Sequence, residues 1–136
     1  MAPSTPFQAR VRVTLRWRDL DMLGHMNQSV YHELLEEGRS ALFEEVGRLG
    51  DFAFVIARVE LDYRSEVRKD HGFVDVIVRP ASIGRSSIIV DQAVVLPDGT
   101  VAAEGRAVLV AWDPAARRSR SFTDGERTKL QSLIGS

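Results

Sequence analysis

The chain begins with a stretch in which apolar and polar residues alternate. Within residues 8–18, Val11, Val13, Leu15 and Trp17 stand at every second position, and arginine fills most positions between them. Successive side chains of a β-strand point to opposite faces, so this period of two predicts a strand that runs to residue 18 and buries one face. The polar, glycine-containing residues that follow predict a loop.

A helical pattern extends from about Gln28 to Gly47. Asn27 precedes it and is a favourable N-cap residue. Gly47 and Gly50 are expected to end the helix. One face carries an apolar stripe at helical spacing, formed by Leu34, Leu35, Gly38, Leu42 and Val46.

From Phe52 onward the pattern is that of consecutive strands. The predicted strand segments are residues 52–64, 73–81, 87–96 and 101–112. In the first of them Val55, Ala57, Val59, Leu61 and Tyr63 alternate with polar or charged positions and Ile56. The sequence Pro97-Asp98-Gly99 predicts a tight hairpin turn between the last two strands.

The end of the chain predicts a second, shorter helix. Thr123 and Glu126 have the spacing of a capping box, and the helix is expected to end near Leu133. A strand, a long helix and then four strands with short connections indicate an α+β fold. We therefore predict one domain over residues 1–136, with a five-stranded antiparallel sheet around the long helix.

Composition narrows the classes of function. The chain has 136 residues, a formal net charge of −1 and no cysteine. The near-zero charge gives no reason to expect nucleic-acid binding, and the absence of cysteine excludes disulfides and thiolate chemistry. No signal peptide and no apolar run of membrane-spanning length is visible, so we expect a cytoplasmic protein.

The loop before the long helix concentrates polar side chains. Residues 18–31 contain two aspartates, a glycine, a histidine and an asparagine just before the expected helix start. A helix N-terminus presents unpaired N–H groups that can stabilise an oxyanion, and a nearby carboxylate can attack a carbonyl or activate water. Since Asp and Asn also gather in loops as turn and cap residues, spacing alone leaves both interpretations open.

This segment resembles a known family. The order of strand, D-L-D-M-L-G-H-M-N and Tyr31 on a long helix is similar to the 4-hydroxybenzoyl-CoA thioesterase family. It is most similar to the branch of acyl-CoA thioesterases with a D-x-D-x-x-G-H-x-N signature. The resemblance implies a hotdog fold, in which a curved antiparallel sheet wraps one long helix. It also implies hydrolysis of acyl-CoA without a metal or other cofactor, in a homodimer or a tetramer built from dimers.

The resemblance also implies roles for individual residues. Asp21 matches the catalytic carboxylate, acting as nucleophile or general base, and Gln28 matches the backbone oxyanion donor. His25 is expected to hydrogen-bond to Asp21, and Asn27 to cap the helix or orient water. The remaining expectations are assistance from the N–H of Gly24, packing of Tyr31 under the loop, an ordering role for Asp19, and no catalytic role for Glu36 or Glu37.

Coenzyme A carries phosphates, so cationic contacts are expected. The resemblance places the nucleotide near the loop that holds Arg85 and Ser86. Alternative cations are Arg64, Arg68, Lys69, Arg117, Arg118 and Arg120. Two other functions stay open: a hotdog enoyl-CoA hydratase, and a non-catalytic acyl-CoA-binding or scaffold domain. The three histidines show no metal-ligand spacing.

Overall fold

The computed structural model of the protein describes residues 7–46 and 53–134. Its elements in chain order are β1 (Ala9–Thr14), α1 (Gln28–Val46), β2 (Phe54–Tyr63), β3 (Phe73–Ile83), β4 (Ser87–Val95), β5 (Val101–Asp113), β6 (Arg118–Ser119) and α2 (Asp124–Ile134). The start of α1 is confirmed. The glycines expected to end it, Gly47 and Gly50, lie outside the described residues.

The strands form an antiparallel sheet in the order β1-β3-β4-β5-β2, and the two-residue strand β6 pairs with β5. Helix α1 packs against β1, β3 and β4, and α2 against β3. This arrangement confirms the α+β hotdog architecture, with β6 as an addition to the five predicted strands. The predicted hairpin turn is also present, since the N–H of Gly99 donates to the carbonyl of Leu96 at 2.9 Å.

The apolar stripe of α1 fixes the helix against the sheet. Leu35 and Leu42 are fully buried and Leu34 is nearly so. At Gly38 an added Cβ would lie 2.6 Å from Cγ2 of Val78, so only glycine lets the helix approach β3 this closely. The stripe was predicted correctly through Leu42.

The predicted first strand was too long. Strand β1 ends at Thr14, and Trp17 opens a single 3-10 turn with its side chain 82% exposed. The turn forms because the carboxylate of Asp19 accepts hydrogen bonds from the backbone N–H of Arg16 at 2.8 Å and from its guanidinium. A local ion pair therefore ends an alternation that the hydrophobic pattern would have continued.

Strand β2 lies at the edge of the sheet and changes phase within its length. Its pairing with β5 is interrupted by a bulge between Ile56 and Arg58. Phe54 and Val59 both pack against the core, whereas Val55 is 38% exposed. One extra residue moves the following side chains to the opposite face, so the single uninterrupted alternation predicted here was wrong.

Candidate active site

The loop between β1 and α1 is held at both ends by Asp19. The carboxylate of Asp19 is buried and bonds Arg16, while its carbonyl accepts the N–H of Asn27 at 2.7 Å. Burial alone would raise the pKa of Asp19, but the hydrogen bonds and charge of Arg16 offset burial and the net effect lowers it. Asp19 thus orders the loop, as expected.

Asp21 presents an exposed carboxylate on a tight turn. Its Oδ1 accepts the N–H groups of Leu23 at 2.8 Å and His25 at 3.2 Å. Its N–H donates to the carbonyl of His25 at 2.8 Å. Within the described residues, Oδ2 has no hydrogen-bond partner. One oxygen therefore orients the carboxylate and the other is available to a ligand.

Gly24 makes this turn possible by its backbone conformation. Its φ is +76°, in the left-handed region that glycine adopts without steric cost. The N–H of Gly24 donates to the carbonyl of Asp21 at 3.1 Å. That hydrogen bond occupies the group expected to assist at an oxyanion, so the geometry indicates a conformational contribution from Gly24.

Helix α1 begins next to this turn. The side-chain oxygen of Asn27 accepts the N–H and the hydroxyl of Ser29, both at 3.1 Å, which confirms Asn27 as the N-cap. Gln28 is the first residue of the helix. No acceptor for its N–H is found in the described part of the chain. The helix therefore starts with a backbone donor that is open to a ligand.

A pocket of about 420 Å³ joins these groups and is called the Asp21 pocket. Its lining residues are Asp21, His25, Met26, Gln28, Tyr31 and the segment 63–67. Tyr31 is buried beneath the loop, and its ring meets that of Tyr63 edge-on, with 5.0 Å between centroids. Burial raises the pKa of the Tyr31 phenol, and Tyr63 adds to the rise, so the hydroxyl stays neutral.

A second pocket, of about 710 Å³, also includes Asp21 and is called the Trp17 pocket. It is lined by Trp17, Arg18, Leu20, Asp21, Met22, Gly24 and Asn27. The side chains of Trp17 and Met22 are strongly exposed. Asp21 therefore lines both pockets.

The sequence interpretation missed the contribution of the segment after β2. Glu66 and its neighbours line the Asp21 pocket, and the ring Nε2 of His25 lies 2.6 Å from Oε2 of Glu66. His25 was expected to bond Asp21 through its ring, but only its backbone N–H does so. The sequence shows a charged turn after β2, but nothing in that turn indicates a contact with His25.

Arg85 and Ser86 do not line the Asp21 pocket. Arg85 donates from Nε to the hydroxyl of Ser121 at 3.3 Å, and the carbonyl of Ser86 accepts the N–H of Ala111. Among the alternative cations, Arg64 does line the pocket. Glu36 and Glu37 lie on the exposed face of α1 and do not line it.

The described residues form neither a metal site nor a membrane-spanning helix. No group of three or more histidine, aspartate or glutamate side chains in this part of the chain could hold a metal ion. Neither described helix has the length and apolar character needed to cross a bilayer.

The chain is similar to known proteins in sequence and in structure. Residues 15–130 match the model of the Thioesterase-like superfamily. A thioesterase from Thermus thermophilus, solved with coenzyme A and zinc, is 33% identical; the match covers 93% of this chain and 94% of that one, with a TM-score of 0.79. A predicted thioesterase from Bacillus stearothermophilus is 26% identical over 94% of this chain and 97% of its own, with a TM-score of 0.81.

A third relative is the uncharacterized protein YsmA of Bacillus subtilis (strain 168). It is 25% identical over 129 residues, which are 93% of this chain and 87% of YsmA. The family match includes the loop, the start of α1 and the segment after β2, which together form the Asp21 pocket. The chain belongs to the Thioesterase-like superfamily.

Proposed function

We propose that this protein hydrolyses acyl-CoA to a free acid and coenzyme A, with Asp21 as its catalytic carboxylate. The observation that carries the proposal is the shared pocket, where an oriented carboxylate with a free oxygen faces the open N-terminus of α1. The relative from Thermus thermophilus, solved with coenzyme A, supports a CoA thioester as the substrate class.

In the proposed reaction the N–H of Gln28 stabilises the negative charge that develops on the thioester oxygen. Asp21 either attacks the carbonyl carbon, forming an anhydride that water then hydrolyses, or removes a proton from the attacking water. The C–S bond breaks, its electron pair goes to sulfur, and the sulfur takes up a proton. His25, Asn27 and Gly24 shape the loop around the reacting carbonyl, and Tyr31 forms a wall of the pocket.

We also propose that the protein acts as a homodimer, as the family resemblance implies, with tetramers of paired dimers as the higher assembly. The exposed edge strand β2 supports this, because an unpaired edge invites pairing with another chain. Arg85 and Ser86 are proposed to contact the CoA nucleotide. Neither residue lines the Asp21 pocket, which is compatible with a long ligand whose reacting end alone enters the pocket.

The proposal predicts that Asp21→Asn removes turnover while the fold is kept. The variant retains the size and one hydrogen-bonding oxygen of the side chain but loses the base or nucleophile, so kcat should fall by roughly 10²–10⁴-fold. Thiol release from a panel of acyl-CoA esters is the measurement, and circular dichroism reports the fold. The control is Asp124→Asn, which removes an exposed carboxylate at the start of α2 and should leave turnover unchanged.

Near-normal turnover in Asp21→Asn would refute the mechanism. If the unmodified protein released no thiol from any ester, the other two functions could be separated directly. Water addition to crotonyl-CoA would identify a hydratase. Tight binding of acyl-CoA without any reaction would identify a binding or scaffold domain.

A further inference from the structure

We propose that Glu66 is a positioning residue that orients the imidazole of His25, so that His25 protonates the departing sulfur. The inference rests on the proposed thioesterase function and adds an acid to it. Asp21 and the N–H of Gln28 act on the carbonyl carbon and oxygen, and the proposed reaction names no donor for the proton that the sulfur acquires.

The backbone brings His25 and Glu66 together. The N–H of Met26 donates to the carbonyl of Val67 at 2.8 Å, and His25 forms an isolated β-bridge with Arg68. These contacts join the Asp21 loop to the segment after β2. The ring of His25 is consequently held above that segment, where its Nε2 meets Oε2 of Glu66 at 2.6 Å.

Glu66 is itself held in place by a second partner. Its other oxygen, Oε1, accepts a hydrogen bond from Nη1 of Arg68 at 3.2 Å. Arg68 in turn bonds Asp70 through Nε at 3.1 Å. The carboxylate of Glu66 is therefore fixed at both oxygens, one by the histidine ring and one by a guanidinium.

This contact determines which ring nitrogen faces the substrate. A carboxylate at Nε2 accepts a hydrogen bond from the proton on that nitrogen and fixes the orientation of the ring. Within the described residues, Nδ1 has no hydrogen-bond partner, and His25 lines the same pocket as Asp21. Nδ1 is thus the ring atom that can exchange a proton with a bound thioester.

With this assignment every proton of the reaction is accounted for. As the C–S bond breaks, its electron pair moves to sulfur, and the proton on Nδ1 of His25 is transferred to that sulfur. The neutral ring regains a proton from solvent or from the one removed from water, directly or through Asp21. The overall reaction consumes one water and yields a carboxylic acid and a thiol.

A purely structural ion pair is the competing explanation. The side chains of His25 and Glu66 are 43% and 44% exposed, and ion pairs this exposed contribute little to stability. A structural contact would also affect every substrate equally. An acid for the leaving group, in contrast, matters only when the departing sulfur needs a proton.

The test compares two thioesters of one acyl group, an acyl-CoA and the corresponding 4-nitrothiophenyl ester. The aryl thiolate is a stable anion and departs without a proton. His25→Ala should lower kcat for the CoA ester by roughly 10²-fold, the lower range for general acid catalysis, and Glu66→Gln by roughly tenfold. Both variants should change kcat for the aryl ester by less than about threefold.

The ratio of the two kcat values is measured on one sample, so partial unfolding of a variant does not alter it. The matched control is Asp70→Asn, which removes a carboxylate bonded to Arg68 and leaves the contact between Glu66 and His25 in place. It should keep the ratio of the unmodified protein. Compared with Glu66→Gln, Glu66→Asp should bring the ratio of the two kcat values part of the way back to that of the unmodified protein, because it keeps a carboxylate at this position.

The double variant His25→Ala with Glu66→Gln should be no slower than His25→Ala alone, because a positioning residue acts only through its partner. Equal losses on both esters, or additive losses in the double variant, would overturn this inference and leave the proposed function standing if Asp21→Asn is inactive. Absence of thiol release from both esters by the unmodified protein would overturn the proposed function as well.

Discussion

The first turns of the two helices satisfy their backbone N–H groups in different ways. At α2, the hydroxyl of Thr123 accepts the N–H of Glu126 at 3.2 Å, and the carboxylate of Glu126 accepts the N–H of Thr123 at 2.8 Å. Arg120 bonds both oxygens of the same carboxylate, at 2.7 and 2.8 Å. This terminus is closed by a buried, paired carboxylate, as the capping-box spacing predicted.

The start of α1 lacks such a carboxylate. The side chain of Asn27 accepts the N–H of Ser29, but the residue three positions after Asn27 is the apolar Val30. No acidic residue occurs in the first turn. The carboxylate of Asp21 belongs to the preceding turn and lines the Asp21 pocket. The two helix ends therefore differ in the state of their backbone N–H groups. At the closed end, that of α2, the N–H groups of Thr123 and Glu126 are bonded within the chain and stabilise the fold. At the open end, that of α1, the N–H of Gln28 can donate to the oxygen of a ligand.

The largest effect that this comparison predicts is the loss of the open donor in Gln28→Pro. Proline is well tolerated at the first position of a helix and lacks only the N–H there, so the fold should persist. Because the proposed oxyanion donor is absent, kcat for acyl-CoA should fall by roughly 10²–10³-fold. Thiol release measures the loss, and thermal unfolding checks the fold.

Gln28→Ala is the matched control, since it removes the side chain and keeps the backbone N–H. It should stay within about tenfold of the unmodified protein, the change expected for the loss of one substrate hydrogen bond from the side chain. Equal losses in the proline and alanine variants would assign the role to the amide side chain, and the contrast between the two helix ends would then have no catalytic meaning.

A smaller effect, a change in KM, is expected from substitution of Arg85 in the loop after β3, which α2 contacts. Arg127, in the first turns of α2, donates to the carbonyls of Gly84 and Arg85 at 3.0 and 3.2 Å. This contact leaves the guanidinium of Arg85 at the protein surface. If that guanidinium binds a phosphate of coenzyme A, Arg85→Ala should raise KM for CoA esters roughly tenfold, as the loss of one charged hydrogen bond implies.

The same variant should leave KM unchanged for short thioesters that lack the nucleotide. Arg79→Ala, which removes an arginine of β3 that pairs with Asp91, serves as the control for the loss of positive charge. A rise in KM of equal size on both substrate types would remove Arg85 from the nucleotide site, and the closed helix end would then support the fold alone.

The features that sequence could predict are those set by neighbouring residues. The N-cap Asn27, the stripe around Gly38 and the capping box at Thr123 each depend on spacings of a few positions, and all three are present. Asp21 was identified through a local signature that resembles a known family, and the structure places it beside the helix start.

The features that sequence could not predict depend on contacts between distant segments. The bulge in β2 follows from its register with β5, and Glu66 reaches His25 only because two loops are joined by the bridge at Arg68. The exposure of Trp17 results from the bond between Asp19 and Arg16, which competes with strand continuation. Hydrophobic periodicity carries no information on either kind of contact.

The smallest catalytic effect is expected at the closed terminus itself, in Glu126→Gln. Hydrogen bonds from Arg120, opposed by burial and aided by Thr123, lower the pKa of Glu126 in the folded protein. The stabilisation from this carboxylate is therefore present above its unfolded pKa and is lost as the pH falls through the lowered value. At neutral pH the substitution should lower the free energy of unfolding by about 1–3 kcal/mol, and the difference from the unmodified protein should shrink in acid.

Denaturant unfolding at neutral and acidic pH measures this dependence, and Asp124→Asn is the control because its exposed carboxylate occupies the same helix turn. That control should change stability only slightly at either pH. Turnover per folded molecule should stay normal in Glu126→Gln, since the residue does not line the Asp21 pocket. A fall in kcat without loss of stability would mean that the end of α2 takes part in the reaction, and the division of roles between the two helix termini would be wrong.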